Sequence, residues 1–292
     1  MAIGRTMKRA LAVMAAVPVV GYAGVVAAMY GLQTELVFST RDTGALSKPD
    51  TLAIPGGERI EIVTADGERL AGWYLAPRAG EPVFLFLHGK GGGLERKTRR
   101  WQRIRDRGAG VLAFSYRGYP GSTGTPSEAG LKRDAHAAYD WLLAKGHRST
   151  DIVIHGLSLG SGVAVALAGD VPARALILEA PFTAVVDVAA ERYPWLPVHR
   201  LMRDQFLSRE IIGRVRMPIL LAHGTRDSVV PYAQGERLFA LANEPKALAR
   251  MEGSDHATLT RDGLYEKHIW PFLARCRAEG CVGSRHSGGP AP

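Results

Sequence analysis

The sequence predicts an α/β domain: a mostly parallel central sheet with helices on both faces and a small cap insertion, preceded by an N-terminal transmembrane helix. Three observations predict it. Short apolar runs alternate with helical stretches along most of the chain, as βαβ units require. The pentapeptide Gly156-Leu157-Ser158-Leu159-Gly160 joins one such run to an alanine-rich helix. An uncharged stretch from Ala10 to Gln33 follows Arg5, Lys8 and Arg9.

The uncharged stretch comes first in the chain. A helix from Ala10 to Leu32 would be about 35 Å long at about 1.5 Å per residue, enough for a hydrocarbon core of about 30 Å. A cleaved signal peptide is the competing reading, with Val26-Ala27-Ala28 as a weak cleavage site. Signal peptides have an apolar region of only about 7 to 15 residues, so an uncleaved anchor is expected. The basic residues before it place the N-terminus in the cytoplasm and the rest of the chain on the far side. Residues 1–33 are read as anchor, 34–58 as linker and entry segment, 59–276 as the α/β domain and 277–292 as a disordered tail.

Arg59–Val63 and Leu70–Leu75 flank Asp66-Gly67, a tight-turn signal between antiparallel edge strands. Pro82–His88 and Gly110–Ser115 are continuous apolar runs, as strands buried on both faces are. Thr125-Pro126-Ser127-Glu128 reads as a helix start with Thr125 as N-cap, and Gly146 ends that helix. Asp151–Leu157, Arg174–Leu178, Pro218–Ala222 and Ala247–Met251 are further strands. Helices are expected over about 233–242 and 260–274. The segment 181–216 interrupts the alternation with aromatics and prolines. It emerges at the strand C-terminal ends, where sites in open α/β sheets lie, and is expected to form a cap.

Gly-x-Ser-x-Gly between a strand and a helix has the form of a nucleophile elbow. Ser158 would sit on a strained turn, with glycines where side chains would collide. A serine hydroxyl needs a base in hydrogen-bond reach and an acid to orient that base. In this architecture they follow in the order acid, then histidine. Asp227 follows the strand ending at Ala222, and His256 follows the strand ending at Met251. The backbone N–H groups of Leu159 and Lys90 are the candidate oxyanion donors, with Gly91–Gly93 allowing close approach. Glu179 is the alternative acid. His88, His155 and His223 are read as structural, and Asp255 as a helix cap. His136, His147, His199, His268 and His286 lack a strand-end context.

With these residues in view, the chain from about Arg59 to Phe272 resembles the α/β-hydrolase superfamily. Within it the chain is most similar to N-terminally membrane-anchored, bud-emergence-type serine hydrolases. The resemblance is carried by Leu87-His88-Gly89, Tyr116-Arg117-Gly118-Tyr119 with Gly121-Ser122, and Gly124 to Glu128. The elbow, His223 to Asp227 with Val230-Pro231, and Gly253 with His256 complete it. It implies the α/β-hydrolase fold, a Ser158-Asp227-His256 triad, and action on acyl esters or thioesters, including lipid-like ones. Two departures stand out. Lys90 and Gly91–Gly93 replace the Asn-Ala-Gly-Asn that often follows the His-Gly pair, and Pro120 stands where glycine is usual. Neither removes a catalytic side chain.

The net charge is +9, and the segment Glu95–Arg107 holds seven basic residues. That run reads as a solvated helix face; contact with anionic lipid beside the anchor is the alternative. No nucleic-acid motif accompanies it. No metal, nucleotide or organic cofactor is implied; Cys276 and Cys281 resemble half a metal site, without a second half. In an oxidising compartment the two could form a small-loop disulfide. A peptidase or amidase on the same fold, and a non-catalytic membrane-tethered binding module, are the other functional classes compatible with the sequence.

Overall fold

The computed structural model describes residues 5–40, 56–91, 94 and 98–278. Most of the expected linker, Gly92-Gly93, Glu95–Lys97, Cys281 and nearly all of the expected tail lie outside the described residues. Among the described residues, eight strands form one sheet in the order β1-β2-β4-β3-β5-β6-β7-β8. They are β1 (Glu58–Val63), β2 (Arg69–Leu75), β3 (Val83–Leu87), β4 (Gly110–Phe114), β5 (Ile152–Leu157), β6 (Ala175–Glu179), β7 (Ile219–Gly224) and β8 (Lys246–Met251). β1 and β2 pair antiparallel, as does β2 with β4. All other pairings are parallel. This is the α/β-hydrolase fold that the sequence predicts.

β3 shows why the central strands are apolar throughout. Val83, Leu85 and Leu87 join the core on one face of the sheet. Phe84 and Phe86 join the core on the other. Side chains alternate across a strand, so a strand covered on both faces needs apolar residues at both parities.

In chain order the helices are α1 (Arg5–Val37), α2 (Thr98–Asp106), α3 (Glu128–Ala144), α4 (Leu159–Asp170), α5 (Val185–Arg192), α6 (Val198–Leu201), α7 (Ser208–Ile211), α8 (Tyr232–Leu241) and α9 (Trp270–Ala278). Leu131, Val163 and Leu238 from α3, α4 and α8 pack on the first face. Trp101 and Ile104 from α2, with Phe272 and Leu273 from α9, pack on the second.

Two helix starts differ from expectation. Ser127, not Thr125, caps α3, with its hydroxyl accepting the Gly130 N–H at 3.1 Å. Glu128 closes no capping box with Thr125. Its Oε2 accepts the Gln205 and Phe206 N–H groups, each at 2.8 Å, and so ties α3 to the segment 181–216. The last helix also starts late. Turns fill 257–263, a π-helical turn spans Tyr265–Ile269 and only then does α9 begin. Pro271 has no N–H to give to the carbonyl four residues back and its ring crowds that carbonyl, which favours the wider turn before it.

α1 runs past the expected Leu32 to Val37. Its span Ala16–Val37 is long and apolar enough to cross a membrane. Its C-terminal end is fastened to the domain. Phe38, just beyond it, is buried against Phe206 with ring centroids 6.2 Å apart. Gln33 is buried and accepts the Arg203 N–H at 2.9 Å.

Candidate active site

Ser158 lies between β5 and α4 with φ +52° and ψ −122°. A non-glycine residue rarely holds positive φ, and the neighbours show what holds this one. Its N–H bonds the Glu179 carbonyl at 2.9 Å. A β-carbon on Gly160 would fall 2.1 Å from the Leu87 carbonyl oxygen. One on Gly156 would fall 2.4 Å from the Gly160 carbonyl oxygen. Both positions therefore admit only glycine in this geometry, and the turn presents the serine side chain at the sheet edge.

β7 and β8 bring the other two residues to that edge. Ser158 Oγ is 2.9 Å from His256 Nε2, and His256 Nδ1 is 2.8 Å from Asp227 Oδ2. Asp227 Oδ1 accepts the Val229 and Val230 N–H groups at 2.9 and 2.7 Å. Burial alone would raise the Asp227 pKa, but hydrogen bonds from His223 and His256 and the Val230 N–H outweigh it. The carboxyl is held well below the usual carboxylate range and stays ionised.

Lys90 and Leu159 lie beside Ser158 in the wall of one cavity. Leu159 is the first residue of α4, so its N–H belongs to the set that a helix leaves without an internal acceptor. The Lys90 carbonyl accepts the Tyr119 hydroxyl at 2.9 Å. A β-carbon on Gly89 would approach Ser158 Cβ to 3.2 Å, so this loop crosses close to the elbow.

The remaining candidates lie outside the Ser158–His256–Asp227 series. Glu179 is buried, and its carboxylate pairs with Arg100 and His155. Its pKa, too, is depressed, because those two partners overcome the opposing effect of burial. His223 Nε2 donates to the Val230 carbonyl at 2.9 Å and lies 3.3 Å from Asp227 Oδ2. It buttresses the acid from behind. His88 Nε2 accepts the Tyr116 N–H at 3.4 Å. Among the described residues, no cluster of three or more His, Cys, Asp or Glu side chains could hold a metal ion.

Two participants escaped the sequence reading. Asp255 does not cap a helix. Its Oδ1 accepts the N–H and hydroxyl of Ser228 at 2.8 and 2.9 Å and the His256 N–H at 2.7 Å. It thereby clamps the loop bearing the acid to the loop bearing the histidine. Its place beside His256 was the available signal. Arg100, in the basic run, turns inward to Glu179, stacking 4.9 Å over Phe86. Its position on the apolar side of α2 with Trp101 and Ile104 could have marked it.

A cavity of about 540 Å³ leads away from Ser158. α5 and α6 cover it with apolar side chains, among them Val188, Ala189 and Val198. Among the described residues, Arg192 and Lys90 are the charged ones in its wall.

No family model matches the chain. An uncharacterized protein of Mycobacterium tuberculosis is 38% identical over 253 residues, covering 85% of this chain and 88% of that one. Lysophosphatidylserine lipase ABHD12 of Danio rerio is 32% identical over 217 residues, covering 67% of this chain and 55% of that one. Among solved structures, an α/β hydrolase from Vibrio vulnificus matches with a TM-score of 0.69 at 24% identity, covering 82% of this chain and 92% of that one.

Proposed function

The chain belongs to the α/β-hydrolase superfamily, and we propose that within it the protein is a serine hydrolase of carboxylic esters or thioesters. One observation carries this reading: the unbroken hydrogen-bonded series from Ser158 Oγ through the His256 ring to Asp227, built on a positive-φ elbow. His256 takes the Ser158 proton as Oγ attacks the acyl carbon. Asp227 fixes the ring tautomer and stabilises the imidazolium. The Leu159 and Lys90 N–H groups receive the developing oxyanion. His256 then returns the proton to the leaving group, and water releases the acyl group from Ser158 by the same steps in reverse order of roles.

The cavity supports an acyl substrate, since its wall is mainly apolar and pockets of this size bury most of a small ligand. The zebrafish relative, described as a lysophosphatidylserine lipase, supports the same class. The chain spans about half of that relative's length.

α1 is the proposed membrane anchor, with its N-terminus cytoplasmic and the hydrolase domain, residues 59–276 with its cap at 181–216, on the far side. The uncharged run after three basic residues supports this. Protease added to intact spheroplasts should then remove the domain; full protection would reverse the orientation.

The chemical reading is tested with an alkyl fluorophosphonate, which forms a covalent bond to an activated serine. Mass spectrometry should find the adduct on Ser158, and His256→Ala should abolish it. Labelling that persists in His256→Ala would contradict the assigned base.

A further inference from the structure

The anchor helix does more than run up to the domain. Val26, Met29, Tyr30, Gln33, Leu36 and Val37 line the same cavity as Ser158. Their spacing puts them on one face of α1. The facing wall comes from the cap, where Leu196 and Val198 form a small apolar core with Val26 and Met29 packed against it. Three further contacts hold the helix in register. Gln33 Oε1 accepts the Arg203 N–H at 2.9 Å, its Nε2 being satisfied within the helix by the Tyr30 carbonyl. The Arg203 guanidinium lies 5.4 Å over the Tyr30 ring. The Tyr22 hydroxyl donates to the Trp195 carbonyl at 2.8 Å. The Oε1 contact specifies one alignment, because a shift of α1 along its axis would leave this buried oxygen without the Arg203 N–H. Earlier on the helix, Val17, Val19 and Val20 are each about two-thirds exposed.

We propose that the last turns of α1 are a specificity-determining wall of the acyl-binding cavity. The same helix that enters the membrane then guides and measures the substrate's hydrocarbon chain on its way to Ser158. The inference rests on the hydrolase reading above and adds the substrate class: an acyl ester long enough to lie between α1 and the cap. Each methylene held there strengthens binding about fourfold, the equivalent of about 0.8 kcal/mol.

The test uses the full chain in lipid nanodiscs and a p-nitrophenyl ester series from acetate to palmitate. Within each protein the ratio of kcat/KM for palmitate to that for acetate is the readout. Met29→Trp should lower this ratio by at least about tenfold, as loss of contact to two or more methylenes requires. Leu36→Trp narrows the same wall elsewhere and should act in the same direction. Ala27→Trp adds the same bulk on an exposed side of the helix and should leave the ratio within about twofold. A wild-type ratio in both Met29→Trp and Leu36→Trp overturns the wall while leaving the hydrolase reading intact. A wild-type chain that turns over none of the esters removes the hydrolase reading and the wall together.

Discussion

Asp227 accepts three hydrogen bonds on its two oxygens, with His223 at 3.3 Å behind them. Val229 and Val230 fix Oδ1, leaving Oδ2 to His256 with His223 behind it. Asp227→Asn would keep the shape but present an amide N–H or a neutral oxygen to the ring, allowing the wrong tautomer. We expect kcat to fall by about 10⁴-fold with little change in Tm, measured by steady-state kinetics and calorimetry. Glu179 is different in kind. It touches the elbow only through its carbonyl, and its carboxylate neutralises buried Arg100. Glu179→Gln should destabilise the domain by about 3–5 kcal/mol, because it strands a buried cation. The depressed pKa values of Glu179 and Asp227 set the sign of the pH dependence. Each contributes stability that is complete above the unfolded carboxylate pKa of about 4 and is lost as pH falls through it towards the folded value. Glu179→Gln should flatten the acid limb of a stability profile; an unchanged limb would contradict the assignment. The sequence displays Ser158, Asp227 and His256 because each follows its own strand. The Arg100–Glu179 pair is marked only faintly, by the place of Arg100 beside Trp101 and Ile104 in a run otherwise read as a solvated face.

Helix ends separate local signals from tertiary ones. Local rules read Thr125-Pro126-Ser127-Glu128 as a helix start capped by Thr125. The fold selects Ser127 because Glu128 is drawn to the Gln205 and Phe206 N–H groups, partners some 77 residues away. Ser127→Ala should therefore cost about 1 kcal/mol, and Thr125→Ala should stay within about 0.5 kcal/mol, both measured by denaturant unfolding. The strands were legible because burial on both faces writes itself as unbroken apolar runs. The start of the last helix was not, because the effect of Pro271 on the turn before it depends on how Tyr265 and Ile269 pack beneath the sheet. Gly160 tests the elbow as an element. Gly160→Ala should lower activity sharply or prevent folding, since the backbone carbonyls of Leu87 and His88 occupy the space a methyl needs.

At the scale of the molecule, three regions meet at one cavity: the sheet edge supplies Ser158, while the segment 181–216 and α1 supply walls. The sheet was visible in the sequence as alternation, and the segment 181–216 as its interruption. The meeting of α1 with that segment was not, because hydropathy reports that a helix is apolar and not what its faces touch. Gln33 was the one residue that bounded the apolar run and also marked its docked face. The central claim is that Ser158 is the nucleophile of an acyl-ester hydrolase, and the most direct measurement is ester hydrolysis by the full chain beside Ser158→Ala. Wild-type turnover of p-nitrophenyl esters, reduced by at least about 10⁴-fold in Ser158→Ala, is the predicted result. Turnover that survives the substitution undiminished, in a mutant that is folded, would contradict it.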